Sequence, residues 1–375
     1  MKSWKIGLMN WLVIGLVLVN PARVNQTGAN AEPPRVCFGR GCWWVAGVNL
    51  PWVHYGHDFG QASWPTGSWS PDGVSQPATR AKVDQDFAFL AEHGVKFVRW
   101  FVFGDGRASP EFDSYGRVTG LDHYFFADMD AALALAEKHD LNLILVLLDY
   151  HWLDPATLVN GVQLGGHKAV INDQHLGQSF IDKALLPMLR RYGDCPRIVW
   201  EIINEPEWRL SGIPGFVPSG ETVALERMQA FVQTVSLYLH QETGQKVTLG
   251  SAKGSWLSLW QRYRSRPIGL DIYQAHHYDW MGESEAPFVS AASLNLDKSV
   301  ILGEFPTRGS TFSLSQYLGV SWEGGYAGSL AWSLKGEDSA SDFSRVAEEF
   351  QDWVNYHPIE IPWPNQVFLP VLRRQ

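Results

Sequence analysis

Between positions 43 and 354 the chain alternates short, nearly continuous apolar runs with longer stretches in which apolar residues recur every three or four positions. The first kind of run is what a strand shows when helices cover both of its faces, and the second marks a helix with one buried side. Strands are predicted over 44–50, 96–102, 141–149, 198–203, 270–276, 300–303 and 328–333, with a weaker signal at 247–250. Between them, Val83, Phe87 and Leu90 fall on one helical face that ends near Gly94. Met129, Leu133 and Ala136 fall on a second, and Ile181, Leu185 and Leu189 on a third. Met228, Phe231, Val232, Val235 and Leu239 line a fourth, with Gly244 as the expected stop, and a last helix is predicted over 343–354. Eight strand-helix units predict an α/β fold, a single-domain (β/α)₈ TIM barrel. An open doubly wound sheet is the alternative, but it calls for a glycine-rich phosphate turn after the first strand. Gly47-Val48-Asn49-Leu50 is not one.

Composition narrows the function. Of 375 residues, 45% are hydrophobic and 18% charged, which is the make-up of a core-forming protein, and the formal net charge of −9 argues against a nucleic-acid or anionic-membrane partner. Eighteen tryptophans are either a large aromatic core or the walls of a cleft whose flat apolar faces suit pyranose rings. Lys2 and Lys5, an apolar segment over 8–19 and Ala29-Asn30-Ala31 predict a secretory signal over 1–31, with cleavage after Ala22 as a second possibility and a membrane helix as the rival reading. The catalytic domain is expected over 32–375, with a proline-rich strap over 355–375, in a secreted, extracellular, periplasmic or cell-surface protein. Cys37 and Cys42 can close a small loop, Cys195 is left over, and no paired metal-ligand spacing occurs, so no metal is expected.

In a closed barrel the carboxy ends of the strands open on one face, and the polar residues there form one set. That set holds Arg99 on strand two, His151 after strand three, Asn204 and Glu205 at the end of strand four, His276 and Tyr278 on strand six and Glu304 on strand seven, with Trp332 on strand eight as an aromatic floor. Two carboxyls facing each other across a barrel mouth suit acetal cleavage, in which one protonates the leaving oxygen and the other stabilises or attacks the anomeric carbon. Glu205, between Ile203 and Pro206 and opposite another carboxylate, is expected to have a raised pKa and act as acid and base. Glu304, with Arg99 and Tyr278 as neighbours, is expected to stay ionised as nucleophile. Plainer readings stand beside these. Arg99 would also neutralise Glu201, His151 and His276 would also serve as core histidines, and Trp332 as ordinary core, while His277 has the parity of a structural residue. Trp52, Trp64, Trp208 and Trp280 fall in loops after strands and are subsite candidates.

WEIINEP and ILGEFP together resemble the motif pair of glycoside hydrolase family 5, in the clan of retaining (β/α)₈ glycosidases of cellulase and β-mannanase type. FVRW, LLDYHW, AHHY and LAWSLKG extend the likeness, matching Arg99, His151, His276 with Tyr278, and Trp332 to the family's strand-end positions. The resemblance implies retention of anomeric configuration, a β-linked mannan-type or glucan-type substrate and no cofactor. A non-catalytic carbohydrate-binding barrel and a transglycosylase using the same residues are the alternatives. The loop NLPWVHYGHDFG matches no motif of one substrate, and the sequence leaves sugar, linkage, endo or exo action and oligomeric state open.

Overall fold

A computed structural model describes residues 32–39, 41–61, 72–336 and 338–362. The predicted signal segment, Trp64 and positions 363–375 of the predicted strap lie outside them. Eight parallel strands close into a barrel: strand one Val45–Asn49, two Phe97–Phe101, three Asn142–Asp149, four Ile198–Asn204, five Lys246–Ser251, six Tyr273–His276, seven Val300–Pro306 and eight Gly328–Trp332. Each pairs with its neighbours in chain order, and strand eight returns to strand one through Gly328 opposite Val45. All but the first residue of strand five are buried, along with every residue of the other seven, which is why their sequences read as unbroken apolar runs.

Helices Pro77–Glu92, Phe125–Lys138, Leu225–Glu242, Leu314–Glu323 and Ala347–Tyr356 pack outside, together with one long run from Gln174 to Tyr192. That run widens to π geometry over Ile181–Leu185, just before Pro187, whose ring lacks a backbone donor. Two units depart from the expected eight. After strand five comes a 3₁₀ turn, Gly254–Trp260, and after strand six come Asp279–Met281 and Ala291–Leu294, with no α-helix among the described residues there. Gly254, Pro267, Gly269, Gly282 and Pro287 interrupt this stretch before any helical face can form. The last predicted helix is likewise divided, into a 3₁₀ turn Phe343–Arg345 and a helix from Ala347. The fourth helix ends at Glu242, where Thr243 turns extended, so Gly244 is not the residue that stops it.

The amino end of the barrel is plugged with apolar side chains. Phe97, Ile144, Val199, Ile272, Ile301 and Leu330 meet beneath Val36, Phe38 and Trp43. Those last three belong to strands Val36–Phe38 and Gly41–Trp43, which the Cys37–Cys42 disulfide joins and to which Glu360–Pro362 adds a third, antiparallel strand. Among the described residues no helix is long and apolar enough to cross a membrane.

Candidate active site

The carboxy end of the barrel is polar, and its centre is the guanidinium of Arg99, which is wholly buried. All five of its N–H donors are used. Nε and Nη2 grip Glu201 at 2.7 and 2.6 Å, Nη1 donates to Asn49 Oδ1 at 2.9 Å and Glu304 Oε1 at 2.6 Å, and Nη2 also donates to Asn204 Oδ1 at 2.8 Å. Both readings of Arg99 therefore hold together: it neutralises Glu201 and it touches Glu304. Room for this network comes from glycines inside two strands. A Cβ on Gly250 would stand 2.5 Å from Glu201 Oε1, and one on Gly303 would stand 2.3 Å from Gln274 Cγ.

Glu205 follows strand four in the left-handed region, φ 43° and ψ 45°, with its N–H on the Gly250 carbonyl at 2.7 Å. Such a conformation in a non-glycine residue persists where its surroundings fix it and is enriched at functional sites. The turn carries the side chain into the cleft, where Oε2 accepts from Trp208 Nε1 and Oε1 faces His276 Nδ1, both at 2.7 Å. Gln274 offers its amide to His276 Nε2 at 3.4 Å, so the imidazole is assigned with its proton on Nδ1, donating to Glu205. Glu304 accepts from Arg99 on Oε1 and from the Tyr278 hydroxyl on Oε2, the latter at 2.7 Å. An oxygen of Glu205, an oxygen of Glu304 and a His276 nitrogen all lie within 4.8 Å of one another.

Burial raises the Glu205 pKa to about 7, against the pull of Trp208. Burial also raises that of Glu304, opposed by His276, Arg99 and Tyr278. His276 moves the other way, to about 4, because burial disfavours its cation, so it stands neutral between the two acids. Burial works against the charge of Arg99, and Glu201 and Glu304 more than reverse it. Glu205, His276 and Glu304 are also the donor types of a small cation site. Each carboxylate oxygen already takes a protein N–H or O–H, however, and Arg99 supplies the positive charge, an arrangement suited to proton transfer and attack on an electrophilic carbon.

Glu205, Glu304, Asn204 and Tyr278 line a cleft of about 450 Å³. Trp332 is buried in its floor beside Phe101 and Val146, with its ring 6.4 Å from Trp52 and its Nε1 on Asp338. Trp208 and the exposed Trp280 are on its wall with rings 6.1 Å apart, and Trp256 and Phe216 continue this aromatic ridge outward. His151 is at the rim, 40% exposed and bonded to Asp154 at 2.6 Å, so it is no core histidine. His277 is buried against Tyr317 and the Gly282 carbonyl, outside the cleft lining. Asn204, His276 and Tyr278 stand within the central network. Sequence reasoning passed over Asn49, Tyr55, Asp149 and Gln274. Asn49 and Asp149 end strands one and three, so the rule that found Glu205 and Glu304 would have found them too.

A closed parallel barrel with two facing carboxyls at the carboxy ends of strands four and seven defines a (β/α)₈ hydrolase of glycosidase type. No family model matches the chain. It is similar to the mannan endo-1,4-beta-mannosidase of Mytilus edulis, 26% identical over 323 residues, which is 77% of this chain and 83% of that protein. It is also similar to the enzyme of the same name from Cryptopygus antarcticus, 26% identical over 337 residues, 80% and 82% of the two chains. Two solved structures share the fold: the beta-mannanase of Mytilus edulis, with TM-score 0.68, 23% identity and 87% and 97% of the two chains covered, and the endo-1,4-beta-mannanase of Eisenia fetida, with 0.69, 23%, 86% and 95%. The chain is a glycoside hydrolase of the (β/α)₈ kind, and its resemblance to family 5 is borne out by these relatives.

Proposed function

We propose that this protein is a secreted, retaining endo-β-mannanase that cleaves β-1,4-linked mannan by double displacement. The observation that carries the reading is the approach of Glu205 and Glu304 to within 4.8 Å, oxygen to oxygen, in one cleft, since retaining glycosidases hold their carboxyls about 5 Å apart and inverting ones leave more room for a water. Glu304 attacks the anomeric carbon and forms a glycosyl ester, while the proton on Glu205 passes to the glycosidic oxygen as that bond breaks. Glu205, now ionised, takes a proton from water, whose oxygen attacks the same carbon and releases Glu304.

The pKa of about 7 at Glu205 keeps a large share of it in the acid form at neutral pH and nearly all of it below about pH 6, and the two donors on Glu304, Arg99 and Tyr278, favour its charged form. Asn204 presents its amide to the sugar 2-hydroxyl, Trp332 and Trp52 offer flat faces to the rings, and Trp208 and Trp280 extend the binding surface. The mannan substrate is taken from the relatives, which carry it in their names. Purified protein incubated with mannan, cellulose derivatives, xyloglucan and mixed-linkage glucan is expected to release mannan oligosaccharides fastest. Glu205→Gln and Glu304→Gln should each lower that rate by about a thousandfold or more while the melting temperature stays near the wild type. Near-normal turnover in either variant would refute the assignment, and glycan binding without cleavage of any substrate would favour a binding barrel.

A further inference from the structure

Asp149 is the last residue of strand three and stands in register opposite Asn204. It is 4% exposed and lines the cleft, and among the described residues no lysine or arginine pairs with it. Burying a carboxylate without a cation is costly, and such groups concentrate at functional sites. Its partners are polar but neutral: the Tyr55 hydroxyl donates to Oδ2 at 3.1 Å and Asn204 Nδ2 donates to Oδ1 at 3.2 Å.

We propose that Asp149 is a positioning residue that fixes the Asn204 amide in one orientation and holds the proton on Glu205. The second half rests on the reading of Glu205 as the proton donor. The orientation follows from the chemistry of the two neighbours. Arg99 can only donate, so it takes Asn204 Oδ1 at 2.8 Å; burial raises the Asp149 pKa, but the donors on its two oxygens, Asn204 Nδ2 and the Tyr55 hydroxyl, favour the carboxylate, which accepts from Nδ2. An amide gripped at both ends cannot flip, and its second N–H remains for a hydroxyl in the cleft.

The groups around Asp149 are Tyr55 from the loop after strand one, Tyr150 and His151 on its own loop, and Asn204 and Glu205 from strand four, with Arg99 and Glu201 behind Asn204. His151 is committed to Asp154 and Arg99 to its five acceptors, so neither forms an ion pair with Asp149. After burial, the charge of Asp149 is the largest influence raising the Glu205 pKa.

The test reads Glu205 itself. In protein labelled with carboxyl ¹³C glutamate, the Glu205 resonance is assigned by its loss in Glu205→Gln and titrated in the wild type and in Asp149→Asn. The midpoint is expected to fall by about one pH unit in Asp149→Asn and to stay near the wild-type value in Asp149→Glu, which keeps the charge. Turnover of mannan should drop roughly tenfold in both, because neither grips the amide as aspartate does. An unchanged midpoint in Asp149→Asn overturns the proton-holding role, and full turnover in Asp149→Glu overturns the orienting one. Asp149→Ser serves if the asparagine variant fails to fold. The titration needs no substrate, so a wild type that hydrolyses no mannan counts against the proposed function and leaves the titration result standing on its own.

Discussion

The two ends of this barrel are built from the same eight strands and could hardly differ more in what fills them. At the amino end Phe97, Ile144, Val199, Ile272, Ile301 and Leu330 close a dry apolar plug under a disulfide-linked sheet. Two to five residues further along the barrel strands, Asn49, Arg99, Glu201, Asn204, Gln274, His276 and Glu304 form a buried polar network around one guanidinium. A close-packed apolar end can hold the strands in register whatever the other end contains. The polar end contributes less to folding than its hydrogen bonds suggest, because each buried charge must first be desolvated.

The sharpest way to break this contrast is to remove the cation. Arg99→Met keeps the stem but leaves Glu201 and Glu304 buried without a counter-charge, and it is expected to cost about 3–5 kcal/mol of stability together with nearly all activity, read by denaturant unfolding and by turnover. At the opposite end, Ile144→Ala should cost about 2–4 kcal/mol by opening a cavity while leaving kcat of the folded protein unchanged. Equal loss of kcat there would show that the two ends are not separable.

A smaller effect separates them by pH. Burial lifts the Glu205 pKa from 4.5 to about 7, so its acid form is favoured by the fold. The stability this contributes is fully present below pH 4.5 and is lost as pH rises through about 7, and buried Glu207, also raised to about 7, adds in the same direction. The melting temperature should therefore fall between pH 5.5 and 8, less steeply in Glu205→Gln, while Ile144→Ala keeps the wild-type slope. The alkaline limb of kcat/KM should fall above about pH 7, where Glu205 loses the proton it must donate.

The same contrast explains what could be read from the sequence. Strand four is apolar along nearly its whole length and ends on Asn204, so both the strand and its functional end were legible, whereas strand three was legible as a strand but Asp149 at its end was passed over for His151. Strand five was faint because Thr248, Gly250 and Ser251 interrupt its apolar run; Gly250 is there to clear Glu201 and Arg99, and Ser251 donates to the buried Glu207. Neither feature looks like a strand in one dimension. The facing of Glu205 and Glu304 followed from strand position alone. The Trp208 bond to Glu205 did not, since it depends on a left-handed turn at a glutamate, for which no local residue preference gives warning. The missing helices after strands five and six have a visible cause in their glycines and prolines, one that counting strand-helix units overlooked.

The most direct measurement is to trap the covalent intermediate. A 2-deoxy-2-fluoro mannoside with a good leaving group, incubated with the protein and followed by proteolysis and mass spectrometry, should leave one sugar on the peptide containing Glu304, and none in Glu304→Gln. A label on any other residue, or hydrolysis of mannan with inverted anomeric configuration and no label at all, would contradict the account.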